Sequence, residues 1–285
     1  MKNIYEETKF LMKKYNLTAN KKLGQNFLID DEAIDKIVDS ANLTKEDLVI
    51  EIGPGLGTLT SMLLEKAGKV IAIELDDRMV KILQDRFLVY NNFELINEDV
   101  LKVNLPELIE ANKQFKSVKV VANLPYYITT PIIMKLLENR LNIESITIMI
   151  QKEVAERIVA TPGSKLSGAI TYSVHYYAEP EEVTIVPNTS FIPSPEVDSE
   201  VIKLVIRKEP PVELKDEKLF FNIIKASFMQ RRKTLANGLV NGGILQNKTE
   251  AVKLLKNIGL EENVRGEELS LEQFAKLSNE IYLRK

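Results

Sequence analysis

From about residue 30 to residue 150, short apolar runs alternate with longer stretches in which apolar positions recur every three or four residues. The runs 47–52, 69–74, 93–97, 118–122 and 145–150 are rich in Val and Ile. Runs this short and this continuously apolar predict strands buried on both faces. Between them, 58–67 carries Leu59, Met62, Leu63 and Leu64, and 78–89 carries Met79, Val80, Ile82, Leu83 and Phe87. That spacing predicts helices, as it does over 132–137 and 153–159. Strand–helix alternation at this interval predicts an α/β fold, with a parallel sheet covered on both faces.

After residue 165 the pattern changes. The stretches 169–177 and 200–206 read as strands flanking the Pro-rich segment 186–195. Two late strands joined by a loop predict an antiparallel hairpin at the sheet edge. Lys208-Glu209-Pro210-Pro211 has the composition of a linker. Beyond it the strand signals vanish. Helical spacing returns over 219–228, 235–240, 251–258 and 271–283, broken by glycines. The expected organisation is an α/β domain over 1–207 and a small all-helical domain over 208–285.

Composition narrows the chemistry. A chain of 285 residues fits about two domains. It has no Cys and one His, which excludes disulfides, zinc ribbons, iron–sulfur ligation, thiol nucleophiles and a His-rich metal site. Nothing near His175 suggests a catalytic triad, and a core or strand-face position is expected for it. A net charge of −3 argues mildly against a nucleic-acid partner. The sum conceals two basic stretches. Residues 1–22 set six Lys against two Glu, and residues 207–233 set eight Lys or Arg against four acids. No apolar run reaches the roughly 18 residues of a membrane span, and no secretory signal is visible, so a cytoplasmic location is expected.

The first chemical signal is Glu51-Ile52-Gly53-Pro54-Gly55-Leu56-Gly57, which ends a strand and opens a helix. Glycines let the backbone turn sharply and approach a ligand closely. Glu74 lies 21 residues after Gly53, at the end of the next strand. A carboxylate there can accept hydrogen bonds from both hydroxyls of a ribose. The pair implies a nucleotide-like cofactor without choosing between NAD and S-adenosylmethionine.

Two further elements choose. Asp99 follows the third strand, where an acid can accept a hydrogen bond from an adenine amino group; a helix N-cap is the lesser reading. Asn123-Leu124-Pro125-Tyr126 follows the fourth strand, on the same sheet edge. Pro125 keeps Leu124 out of the helical region, so the Leu124 carbonyl can face the cleft. The exocyclic amine of a nucleobase is a poor nucleophile, because its lone pair is delocalised into the ring. The Asn123 side-chain oxygen and the Leu124 carbonyl could accept its two N–H groups, in bonds that strengthen as the nitrogen becomes positive. Tyr126 could stack on the base and hold it in line with a methyl donor. No covalent intermediate is needed, in keeping with the absence of Cys.

Asn123-Leu124-Pro125-Tyr126 resembles the signature of amino-methyltransferases. The whole chain resembles the bacterial 16S ribosomal RNA adenine N6,N6-dimethyltransferase family. The matching stretches are Lys22-Leu23-Gly24-Gln25-Asn26-Phe27-Leu28, 149–154, 191–199 and Gln230-Arg231-Arg232-Lys233-Thr234. The resemblance implies a Rossmann-like methyltransferase sheet and S-adenosylmethionine as cofactor. It also implies that Asn26 and Leu28 contact the methionine part of the cofactor, while Gly53 and Gly55 pack against it. Glu74 would hold the ribose, Asp99 the adenine amino group, and Asn123 both cofactor and target nitrogen. Tyr126 and Phe191 would sandwich the target adenine.

The implied substrate is two adjacent adenines in the 3′-terminal hairpin loop of 16S RNA, in the small ribosomal subunit. Lys21, Lys22, Arg231, Arg232 and Lys233 would then contact phosphates. No metal and a monomeric state are expected. Three alternatives stand beside this reading. One is the related large-subunit RNA methyltransferase of macrolide resistance, and another is an NAD-dependent oxidoreductase. The third is a catalytically silent ribosome assembly factor.

Overall fold

The computed structural model describes residues 3–20, 23–230 and 232–284. Two compact units divide the chain: 1–155 with 180–206, and 156–179 with 207–285.

The first unit begins with α1 (Ile4–Lys14), β1 (Phe27–Leu28) and α2 (Asp31–Ser40). Strands and helices then alternate: β2 (Asp47–Ile52), α3 (Thr58–Lys66), β3 (Lys69–Glu74), α4 (Asp77–Phe87), β4 (Phe93–Asn97), α5 (Leu105–Glu110), β5 (Ser117–Asn123), α6 (Thr129–Glu138), β6 (Ser145–Gln151) and α7 (Lys152–Val159). After α8 (Ala169–Tyr177) come β7 (Ala178–Val186), β8 (Phe191–Ile192) and β9 (Ser199–Ile206). The remaining helices are α9 (Glu217–Phe228), α10 (Leu235–Asn241), α11 (Lys248–Asn257) and α12 (Leu271–Tyr282).

Seven strands form one sheet in the order β4-β3-β2-β5-β6-β9-β7. β4, β3, β2, β5 and β6 are parallel, and β9 runs antiparallel to β6 from Ser145↔Val205 to Gln151↔Ser199. β2 is buried along its whole length, as a strand covered on both faces should be. α4 turns Met79, Val80, Ile82, Leu83 and Phe87 into the core, and the Asp76 side chain caps it by accepting from the Arg78 N–H. The chain winds outward from β2 through β3 to β4, then returns to β5 on its other side. That reversal opens a crevice at the carboxyl ends of β2 and β5, where such sheets bind ligands.

The edge strand differs from the sequence expectation. Residues 169–177 form the helix α8, and the strand beside β9 is β7, over 178–186. Ala-Ile-Thr-Tyr-Ser-Val-His-Tyr-Tyr is rich in β-branched and aromatic residues, but tertiary packing overrides that preference. Tyr172 is fully buried and donates a 2.7 Å hydrogen bond to the Leu269 carbonyl, with its ring 4.9 Å from that of Phe274. Together with Phe220, these side chains centre the core of the second unit. That unit therefore takes in 156–179 as well as the helices after 207. His175 sits half-buried on α8, not on a strand, and burial holds its pKa below the ordinary value.

Candidate active site

The crevice in the first unit is lined from several elements. β1 and the turn before it supply Gly24 to Leu28, and the glycine loop after β2 supplies Gly53 to Leu56. Glu74 and Leu75 come from the end of β3, Asp99 from the turn after β4, and Asn123 to Ile128 from the end of β5. The sequence-predicted residues Asn26, Leu28, Gly53, Gly55, Glu74, Asp99, Asn123, Leu124 and Tyr126 thus share one cleft.

The glycine loop and Glu74 are joined directly. The Gly55 N–H donates to Glu74 Oε2 at 3.2 Å, and the Asp76 N–H donates to Oε1 at 2.8 Å. Burial nevertheless raises the Glu74 pKa, with the backbone N–H bonds opposing the shift. Gly53, Gly55 and Gly57 all have positive φ, which side-chain-bearing residues rarely adopt. At Gly57 the space is closed as well, since a Cβ would lie 2.6 Å from the Phe87 ring. Arg86 on α4 donates both to the Leu56 carbonyl and to Glu7 on α1, fixing the loop from behind.

The segment before β1 is tied to the end of β3. Gln25 Nε2 donates to Asp76 at 2.8 Å, and Arg78 donates to the same carboxylate at 3.0 and 2.6 Å. The Arg78 guanidinium, with help from Gln25, holds the Asp76 carboxyl below its usual range. This network sets Asn26 and Leu28 over the cleft. Asn26 also donates to the Gly24 carbonyl at 3.2 Å. Asp99 accepts from the Leu101 N–H at 2.9 Å, so it caps its own turn while lining the cleft.

At the end of β5 the Leu124 N–H still donates to the Met149 carbonyl at 3.1 Å, so the sheet carries the chain into the tetrapeptide. The Asn123 amide makes no side-chain hydrogen bond among the described residues, and the Leu124 carbonyl accepts none there. Two acceptors are therefore uncommitted at the cleft. The Tyr126 hydroxyl is 2.7 Å from that of Ser199, which is fully buried on β9. This bond anchors one end of the half-buried Tyr126 ring, and burial pushes the phenol pKa up.

Other expectations meet a different outcome. Phe191 does not line the cleft; it is 3% exposed and packs in the apolar cluster with Phe27, Ile34 and Val201. β8 pairs antiparallel with β1, Leu28 opposite Phe191, and packing among Phe27, Ile34 and Val201 keeps the ring buried. Lys21, Lys22 and Arg231 lie outside the described residues. Arg232 and Lys233 are exposed, on the turn between α9 and α10 and not on a helix.

One missed feature is Glu51. It lines the cleft and is 1% exposed, and its Oε2 has no hydrogen-bond partner among the described residues. Burial, with the Glu74 charge acting in the same direction, pushes its pKa to about 8. Its place as a charged residue within the apolar run 48–52, just before the glycine loop, was the available signal. The tie of Gln25 to Asp76 and Arg78 carried none, because it joins residues more than 50 positions apart in the chain.

The match to known proteins covers most of the chain. Residues 16–283 match the model of the ribosomal RNA adenine dimethylase family. The chain belongs to this family. A Clostridium botulinum protein named ribosomal RNA small subunit methyltransferase A is 51% identical over 275 residues, covering 96% of this chain and 98% of its own. A protein of that name from Lachnoclostridium phytofermentans is 48% identical over 278 residues, covering 97% and 96%. Among solved structures, a dimethyladenosine transferase from Plasmodium falciparum superposes with a TM-score of 0.74 at 30% identity, covering 88% of this chain and 95% of that one. The 23S rRNA methyltransferase ErmE superposes at 0.69 and 26% identity, covering 90% and 100%.

As a member of this family the chain is an S-adenosylmethionine-dependent methyltransferase, and the NAD-dependent alternative falls away. The cleft fits that cofactor on its own chemistry. A buried carboxyl with one oxygen unpartnered, Glu51, lies in its lining beside Glu74, polar groups suited to ribose hydroxyls. Leu28, Ile34, Leu56 and Ile73 supply apolar walls. No helix among the described residues is long and apolar enough to cross a membrane.

Proposed function

We propose that this chain methylates N6 of two adjacent adenines in the 3′-terminal hairpin loop of 16S ribosomal RNA, in the small ribosomal subunit, giving N6,N6-dimethyladenine at both. The observation that carries the reading is the pair of uncommitted acceptors, Asn123 and Leu124, beside the anchored ring of Tyr126 in the same cleft as Glu74. Identity near 50% over almost the whole chain to small-subunit methyltransferases supports that subunit over the large one.

Asn26 and Leu28 hold the methionine part of S-adenosylmethionine, Gly53 and Gly55 admit its close approach, Glu74 binds the ribose and Asp99 the adenine amino group. When bound, the cofactor supplies a methyl group on a positively charged sulfur. Tyr126 stacks on the flipped target base and fixes its plane. Asn123 and the Leu124 carbonyl accept the two N–H groups of the target amine for the first methyl. For the second, one of them accepts the N–H that remains, and each transfer releases the displaced amine proton to solvent. Positive charge growing on that nitrogen strengthens these bonds, so they favour the transition state over the ground state. Arg232 and Lys233 on the helical unit contact RNA phosphates, together with Lys21, Lys22 and Arg231. The protein acts as a monomer in the cytoplasm.

Labelled methyl transfer to small subunits, large subunits and naked RNA, all lacking these modifications, tests the proposal. Label recovered as N6,N6-dimethyladenine from small subunits alone is the expected result. Label in large-subunit RNA would move the chain to the resistance branch. No label, with cofactor still bound, would leave the assembly-factor reading.

A further inference from the structure

Tyr127 follows Tyr126 and also lines the cleft, but its surroundings differ. Tyr126 is half-buried with its hydroxyl fixed by Ser199; Tyr127 is 56% exposed. One edge of the Tyr127 ring lies against Gly24, where a Cβ would come within 3.4 Å of Cδ1. Gly24 has positive φ, so this seat suits a residue without a side chain. The ring is therefore held at one edge on the segment that frames the cofactor side, and much of the rest is open to solvent. A seated but uncovered aromatic ring at the mouth of a cleft that takes a nucleobase is a platform for another base.

We propose that Tyr127 is a second stacking platform, which holds the adenine adjoining the one under reaction. The inference rests on the functional reading above, in which the substrate presents two adjacent adenines. While one base occupies the cleft at Tyr126, its neighbour is one phosphodiester link away and lies at the rim. Successive tyrosines, one inside and one at the mouth, match successive nucleotides, one flipped in and one waiting. Tyr127 is thus a positioning residue: it takes no part in methyl transfer and sets how the loop is presented and how readily the second adenine follows the first.

The test compares wild type, Tyr127→Ala and Tyr127→Phe on small subunits lacking the modification. It reads KM for subunits, kcat, cofactor affinity, and the distribution of methyl groups over the two adenines by mass spectrometry. Tyr127→Ala should raise KM by about tenfold, the lower part of the range for one base–aromatic stack. It should also leave one adenine finished while the other lags. Tyr127→Phe should restore both properties, and cofactor affinity should stay unchanged in each variant. Unchanged KM and methyl distribution in Tyr127→Ala would overturn the inference. So would equal impairment of the Ala and Phe variants, or a parallel loss of cofactor affinity. If wild type itself leaves these adenines unmodified, the underlying reading fails and takes this inference with it.

Discussion

The Gly55 N–H donates to the Glu74 carboxylate at 3.2 Å, so the glycine loop and the acid at the end of β3 form one unit. Either residue alone reads as a weak motif. Together they place an acceptor and an open stretch of backbone on the same edge of the sheet.

Glu74→Ala removes the acceptor proposed for the ribose and leaves the Gly55 and Asp76 N–H groups without their partner. Hydrogen bonds to a charged group contribute about 1.5–3 kcal/mol, so cofactor affinity should fall by roughly 10–100-fold. Titration calorimetry with S-adenosylmethionine measures this. Affinity within threefold of wild type would remove Glu74 from the cofactor site.

Tyr126→Ala should lose about 1–3 kcal/mol of base stacking. Tyr126→Phe keeps the face and loses only the bond to Ser199, so it should recover most of the activity, as should Tyr126→Trp. Steady-state rates on unmodified small subunits check this. Failure of Phe and Trp to restore what Ala lost would rule out stacking.

Phe191→Ala should act on stability, because the ring is buried against the first unit's apolar core. Truncating such a ring costs about 3–5 kcal/mol. Phe191→Leu should be much milder, with KM for RNA close to normal. Thermal unfolding and KM together separate this from the base-sandwich role expected from sequence. A stable Phe191→Leu enzyme with sharply raised KM would restore that role.

Glu51 sets a pH dependence. Its pKa stands at about 8 in the folded chain, against 4.5 for an ordinary Glu. The folded state therefore holds a proton that the unfolded chain releases. The stability from this group is full below about 4.5 and is lost as pH rises through about 8. Glu51→Gln cannot titrate, so the stability difference between variant and wild type should shift in the variant's favour by a few kcal/mol between pH 5 and pH 8. Urea unfolding at several pH values measures it, and a difference that stays flat across the window would contradict the burial argument.

The parallel sheet was legible because its strands are continuous runs of Val and Ile with amphipathic helices between them. Strand ends then located Glu74, Asp99 and Asn123 on one edge without further information. The helix α8 was not legible, since its β-branched and aromatic residues suit a strand equally well. What decides is the core built around Tyr172, Phe220 and Phe274, drawn from distant parts of the chain. The burial of Phe191 was not legible for a related reason. A motif names the residue, but its burial comes from packing with Phe27, Ile34 and Val201, drawn from distant parts of the chain. Likewise the tie of Gln25 to Asp76 and Arg78 joins residues whose spacing along the chain carries no signal.

In the proposed reaction, Asn123 accepts from the target amine most strongly as positive charge develops on it. Single-turnover methyl transfer by Asn123→Ala on unmodified small subunits tests this most directly, with binding of cofactor and RNA measured alongside. The rate should fall by roughly 10²–10³-fold, taking loss of one oxyanion-hole donor as the nearest analogue, while both affinities change far less. A near-normal rate, or a loss accounted for entirely by weaker binding, would contradict it.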